Sequence, residues 1–226
     1  MVRELPLDIV EMRSYFFFVF SLKTYIYKKK KALRAENFNF IWRYPKDALD
    51  RMWSSIPFQT GVWTELTTSM TVDPRSHIDF QPPQLVMSTA ATPINTSAPM
   101  QFFLESEDKN TEFYAYFHFA ELQELKANES RAFNINLDGS LFFGPIIPTY
   151  LISSTAYSSS SFRGGLNYSF TLEKLENSTL PPILNAFEFY TLVDLSQQET
   201  HQDDGTYIFS SIQKISSVEA RVKFRT

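Results

Sequence analysis

The stretch that decides the fold is Glu112-Phe113-Tyr114-Ala115-Tyr116-Phe117-His118-Phe119. Side chains on a strand alternate between its two faces. Phe113, Ala115, Phe117 and Phe119 therefore fall on one face, and Glu112, Tyr114, Tyr116 and His118 on the other. The pattern recurs downstream. Phe133, Ile135 and Leu137 alternate with Asn134 and Asn136, and Asp138-Gly139 then gives a hairpin turn signal. Tyr168, Phe170 and Leu172 alternate with Asn167, Ser169 and Thr171. Residues 84–88, 100–105 and 186–193 are further strand candidates. Pro82-Pro83, Pro99, Pro145, Pro148 and Pro181-Pro182 punctuate the runs, as proline does at strand ends and in loops. Short alternating strands with little helix between them predict an all-β fold. The expected form is an antiparallel β-sandwich of jelly-roll type, its aromatic faces packed together and its termini short-helical or irregular.

Composition supports a folded domain. The chain has 226 residues, 43% of them hydrophobic and 20% charged, with 22 Phe and 11 Tyr. Burying one Phe contributes roughly 1.5–3 kcal/mol, so the material for a core is ample. A formal net charge of −4 offers no electrostatic case for nucleic acid as a partner. Without any cysteine there are no disulfides, thiolate metal sites or thiol nucleophiles.

The first forty residues have a different texture. Tyr15-Phe16-Phe17-Phe18-Val19-Phe20 is a short apolar run, followed by the basic run Lys28-Lys29-Lys30-Lys31. A secretory signal has the opposite order, and a membrane-crossing helix needs about 20 apolar residues, which Lys23 interrupts. One hydrophobic strand followed by a solvated basic loop is the reading adopted. Residues 153–161 are serine-rich and read as a mobile surface loop. The tail from residue 197 is polar, then weakly amphipathic around Ile208, Ile212 and Ile215.

Catalytic signatures are sparse. There is no phosphate-cradling Gly-rich loop, and Ser161-Phe162-Arg163-Gly164-Gly165 lacks nucleophile-elbow spacing. His77, His118 and His201 have no ligand-spaced companions, so no metal site or cofactor is expected. His118 reads as a half-exposed structural residue on the polar face of its strand. The carboxylate clusters Asp203-Asp204 and Asp47/Asp50 read as solvated turn or helix-start residues rather than acid–base pairs. Asn95, Asn128, Asn167 and Asn177 each open a glycosylation sequon, and each falls in a polar position able to carry glycan.

Five segments, in order, resemble plant malectin-like ectodomains. They are Tyr44-Pro45-Lys46-Asp47-Ala48-Leu49-Asp50-Arg51-Met52-Trp53, then Pro83-Gln84-Leu85-Val86-Met87-Ser88-Thr89-Ala90-Ala91-Thr92-Pro93. Next come Tyr114-Ala115-Tyr116-Phe117-His118-Phe119-Ala120-Glu121-Leu122 and Arg131-Ala132-Phe133-Asn134-Ile135-Asn136-Leu137-Asp138-Gly139. The last is Leu180-Pro181-Pro182-Ile183-Leu184-Asn185-Ala186-Phe187-Glu188. On this reading residues 1–40 are an atypical N-terminal segment, 41–200 a malectin-like domain, and 201–226 a divergent tail. The chain looks like a truncated member of the family or an imperfect gene model.

The resemblance implies a non-catalytic binding module on the outer face of the plasma membrane, attached only through a parent receptor-like kinase. A cell-wall carbohydrate, a peptide or a co-receptor ectodomain is the implied partner, with Tyr114, Tyr116 and His118 as candidate ligand contacts. The similar animal protein malectin carries an aromatic pair where this chain has Gln123 and Glu124, so that stacking platform for glucose is missing. The competing readings are a jelly-roll carbohydrate-active enzyme, a structural spacer, or a truncated receptor fragment without function.

Overall fold

The computed structural model describes residues 10–19, 41–43, 47, 51–55, 61–74, 82–194 and 221–224. The elements in chain order are β1 (Val10–Val19), β2 (Ile41–Arg43), β3 (Met52–Ser55), β4 (Trp63–Thr67), α1 (Gln84–Met87), β5 (Thr89–Pro93) and β6 (Met100–Glu105). They continue as β7 (Phe113–Phe119), β8 (Phe133–Leu137), β9 (Ser140–Ile146), β10 (Ser154–Tyr157), β11 (Asn167–Lys174), β12 (Ala186–Asp194) and β13 (Arg221–Phe224). One sheet has the order β10-β7-β12-β1-β3-β2, a second β13-β6-β11-β8-β9, and β4-β5 form a separate pair. All the ladders are antiparallel except β1 with β3.

The alternation read from sequence sets the core. Phe113, Ala115, Phe117 and Phe119 of β7 are buried, as are Phe133 and Ile135 of β8 and Tyr168, Phe170 and Leu172 of β11. Aromatic rings meet across the two large sheets. Phe102 stacks on Phe187 with centroids 4.9 Å apart, and Phe170 lies 5.4 Å from Phe117 and 5.3 Å from Phe189. Such pairs add about 0.5–1.5 kcal/mol beyond their burial. The Asp138-Gly139 turn is present as read. Both residues have positive φ, 51° and 80°, and Leu137 pairs with Ser140 across a two-residue hairpin.

Five local expectations differ from the structure. Residues 84–88 are not a strand: 84–87 form a helical turn in which consecutive Val86 and Met87 are both buried. The alternating faces of a strand could not bury both on one side. Within the serine-rich stretch, Ser154–Tyr157 is an ordered edge strand paired with β7. Small residues suit this edge, whose buried position, Ala156, pairs with Phe117. The hydrophobic strand read at Tyr15-Phe16-Phe17-Phe18-Val19 is present as part of β1, which pairs along β12, whereas the described C-terminal residues form β13 along β6 rather than a helical or irregular end. Ladder hydrogen bonds with a neighbour outweigh weak local preference there. His118 is fully buried, not half-exposed, and Asp47 is buried against Arg51 rather than solvated, because a guanidinium offsets the loss of water around its carboxylate. The amphipathic tail residues Ile208, Ile212 and Ile215 lie outside the described residues, as do His77, His201, Asp50 and Asp203-Asp204.

Candidate functional site

The face of β7 and β12 turned away from the aromatic core carries polar groups, and they are buried as well. Tyr116 pairs with Glu188, and His118 with Ala186, in the β7–β12 ladder. Glu188 is the hub. Its Oε1 accepts from Arg51 Nη1 at 2.8 Å and meets His118 Nε2 at 2.6 Å. Tyr190 OH donates to its Oε2. The other ring nitrogen of His118 lies 2.9 Å from Thr155 Oγ1 on β10. A neutral ring with its proton on Nε2 satisfies both contacts, donating to Glu188 and accepting from the Thr155 hydroxyl.

Arg51 joins this hub to Asp47, four residues earlier. Its Nε donates to both Asp47 oxygens at 3.0 Å, and Nη2 lies 3.0 Å from Oδ1. Trp53 Nε1–H donates to Asp47 Oδ2 at 2.7 Å, and the guanidinium carbon sits 4.9 Å from the Trp53 ring centroid. Arg51 is 3% exposed and Glu188 1%. Burial alone would lower the Arg51 pKa, yet the Glu188 and Asp47 charges and the Asp47 hydrogen bond together hold it above its ordinary value. Burial, reinforced by the Glu188 charge, pushes Tyr116 up to about 12. Burial and then Glu188 likewise raise Tyr190.

A second buried assembly ties the end of β7 to the start of β8. Arg131 Nε donates to Glu121 Oε2 at 2.6 Å, and Arg131 Nη2 donates to Gln123 Oε1 at 3.1 Å. Arg131 also donates to the Pro181 carbonyl. Asn185 completes the corner. Its Oδ1 accepts from Ala120 N–H at 2.7 Å, and its Nδ2 donates to the carbonyls of Met87 (3.0 Å) and Thr89 (3.1 Å). Gln123, where an aromatic would offer a stacking face, is thus held by an arginine.

The accessible chemistry lies at the β10 edge. Tyr157 is 38% exposed and stacks on Tyr116 with centroids 5.8 Å apart and planes 15° apart. Tyr190 meets Tyr116 edge-on at 5.2 Å. Tyr114 is half-buried, so of the three contacts expected from sequence it presents the most surface, with Tyr116 nearly covered and His118 covered entirely. Sequence reasoning misses Tyr157 because it stands in the serine-rich stretch, and Tyr190 because it lies beyond the quoted motifs. Asp47, Arg51, Trp53 and Glu188 stand in those motifs, but nothing in their spacing says that they meet. Among the described residues no group of three His, Cys, Asp or Glu could hold a metal ion, and no helix is long and apolar enough to cross a membrane. Asn95, Asn128, Asn167 and Asn177 are all exposed.

A profile of the malectin-like domain matches residues 6–192. A probable LRR receptor-like serine/threonine-protein kinase of Arabidopsis thaliana is 43% identical over 164 residues, covering 72% of this chain and 18% of the kinase. The Arabidopsis LRR receptor-like serine/threonine-protein kinase IOS1 is 37% identical over 165 residues, again 72% of this chain and 18% of the relative. The chain therefore spans under a fifth of the length of these relatives. Among solved structures, the ANX2 ectodomain from Arabidopsis thaliana superposes with a TM-score of 0.53 at 19% identity, over 66% of this chain and 45% of that one. A chain in the structure of the plant peptide RALF23 in complex with FER and LLG2 gives 0.57 at 16% identity, over 81% and 49%. At these identities the structural likeness establishes the sandwich fold.

Proposed function

The chain belongs to the malectin-like domain family, and from that premise we propose that it is a non-catalytic binding module on the extracellular side of a receptor-like kinase. The observation that carries this reading is the closure of the Asp47–Arg51–Glu188 assembly. A glycosidase needs two carboxylates facing a cleft, about 5–10 Å apart. Here one guanidinium stands between the two carboxylates, within 3.0 Å of each, and all three groups are buried.

The partner class favoured is a peptide or a co-receptor ectodomain. Gln123 is engaged by Arg131, which removes the sugar-stacking position. The fold is shared with a chain in the RALF23–FER–LLG2 assembly, which supports a peptide partner by likeness of fold. One observation favours carbohydrate instead: the Tyr116–Tyr157 stack beside Tyr114 offers an aromatic face at a sheet edge, on which a pyranose ring can lie.

The test is a titration of the full chain, expressed by secretion, against cell-wall oligosaccharides and against peptide with a co-receptor ectodomain. A Tyr157→Ala variant and a Tyr114→Ala/Tyr116→Ala variant run alongside. Saturable peptide-dependent capture of the co-receptor supports the favoured reading. Saturable sugar binding lost in Tyr157→Ala moves the assignment to carbohydrate, and turnover of any oligosaccharide overturns the non-catalytic reading.

A further inference from the structure

Two of the four sequons, 49 residues apart in sequence, meet in the fold. Asn128 precedes β8 and Asn177 follows β11, and these strands are paired, with Lys174 opposite Phe133. Both asparagines are exposed in tight turns. Their hydroxyl residues, Ser130 and Thr179, bind each other. Ser130 N–H donates to Thr179 Oγ1 at 2.8 Å, and the Thr179 hydroxyl donates to the Ser130 carbonyl at 3.2 Å. Thr179 N–H donates to Ser130 Oγ at 3.2 Å, and the Ser130 hydroxyl donates to the Asn177 carbonyl at 3.0 Å. Ser178, the middle residue of the second sequon, is 5% exposed and accepts from Ala132 N–H at 3.0 Å.

The sequon rule demands a hydroxyl two residues after the asparagine, so the enzyme that reads it must contact that hydroxyl. Here each sequon occupies the hydroxyl of the other. Asn95-Thr96-Ser97 differs. Its asparagine is exposed, Ser97 N–H donates to Asn95 Oδ1 at 3.0 Å, and the Ser97 hydroxyl meets no partner among the described residues.

We propose that Asn128 and Asn177 are a paired N-glycosylation site that accepts oligosaccharide only before the Ser130–Thr179 lock forms. In the transfer, the asparagine Nδ2 attacks the anomeric carbon of a lipid-diphosphate-linked oligosaccharide. The N–C bond forms, the bond from that carbon to the diphosphate oxygen breaks with its electron pair leaving on the lipid diphosphate, and the proton lost by the amide is taken up by the departing diphosphate. Occurrence in the cell rests on the extracellular reading above, whereas the timing depends on the fold alone. Both glycans would stand beside the Glu121–Arg131 corner, since Ser130 adjoins Arg131 in the chain.

The test compares two routes to the full chain. In one, the chain is fused to a heterologous signal peptide and translated into microsomes. In the other, folded unglycosylated protein is incubated with solubilised oligosaccharyltransferase and lipid-linked oligosaccharide, and glycopeptides from both are quantified by mass spectrometry. The expected result is occupancy at Asn128 and Asn177 during translation, with at least a tenfold loss at both in the folded protein while Asn95 is still modified. Three results would overturn the proposal: transfer to folded Asn128 or Asn177 as fast as to Asn95, no occupancy during translation, or refusal at Asn95 too. The last would make folding in general the barrier. Because the fusion supplies its own signal, none of these outcomes depends on where the native protein resides.

Discussion

Replacing Arg51 with methionine removes the cation that stands between Asp47 and Glu188 and keeps most of the side-chain volume. All three side chains are at most 2% exposed. The variant would leave two carboxylates buried without their shared partner. Removing one member of a buried ion pair costs about 3–5 kcal/mol, because the remaining charge keeps its desolvation penalty and loses its compensation. A domain is typically stable by about 5–15 kcal/mol, so the loss takes a large fraction of the total. With a urea slope of about 2 kcal/mol per molar, the unfolding midpoint should fall by roughly 1.5–2.5 M. Trp53, fully buried and hydrogen-bonded to Asp47, makes intrinsic fluorescence a local probe of the transition. A Glu188→Gln variant retains the Arg51–Asp47 contacts and should lose less. The double variant should be more stable than the sum of the two losses predicts, by about 0.5–3 kcal/mol, since a neutral amide at position 188 leaves no stranded charge there. A loss under about 1 kcal/mol for Arg51→Met, within the range of exposed ion pairs, would refute the claim that this assembly is sealed from water.

The other expectations are more local. Asn185→Ala strips partners from one buried N–H and two carbonyls. At about 1–3 kcal/mol per bared group, roughly 3–9 kcal/mol for the three, it should lower the melting temperature by at least about 6 °C, and a calorimetric shift under a few degrees would show that water replaces the amide. An alanine Cβ at position 144 would fall 2.2 Å from Asn134 Oδ1 and 3.2 Å from Asn134 Cα. Gly144→Ala should therefore destabilise more than Gly139→Ala, which meets open space and costs only about 1–2 kcal/mol for its positive φ; equal urea midpoints would contradict the clash. The folded protein holds Tyr116 at about 12 against an ordinary 10. It thus binds the phenolic proton more tightly than the unfolded chain, and the associated stability is intact below pH 10 and lost as pH rises toward 12. Ultraviolet titration should show this late phase, and Glu188→Gln should lower it only in part because burial is the larger cause.

Much of the sandwich was legible because strand alternation is a local property. Phe113, Phe117, Phe133 and Phe170 announce their face through their immediate neighbours, and the structure buries each of them. The Asp138-Gly139 turn was legible for a similar reason, since positive φ at two successive residues is set by the turn itself. Residues 84–88 misled because an apolar run of this length suits a strand or a helical turn equally, and Pro82-Pro83 ahead of it is compatible with either.

The polar face shows the limit of such reasoning. Alternation correctly placed Tyr116 and His118 opposite the aromatic core, but face does not determine exposure. His118 is buried among residues about 70 positions away in both directions, Trp53 meeting its ring edge-on and Glu188 hydrogen-bonding it. The pairing of the two sequons through Ser130 and Thr179 is likewise invisible until β8 and β11 lie side by side. The sequence by itself determined the strand faces, the tight turn and the family, because periodicity and motif order are written in consecutive residues. Only the tertiary structure decided which charges neutralise one another, which tyrosines reach the surface and which hydroxyls are locked, because burial and pairing depend on groups that sequence keeps far apart.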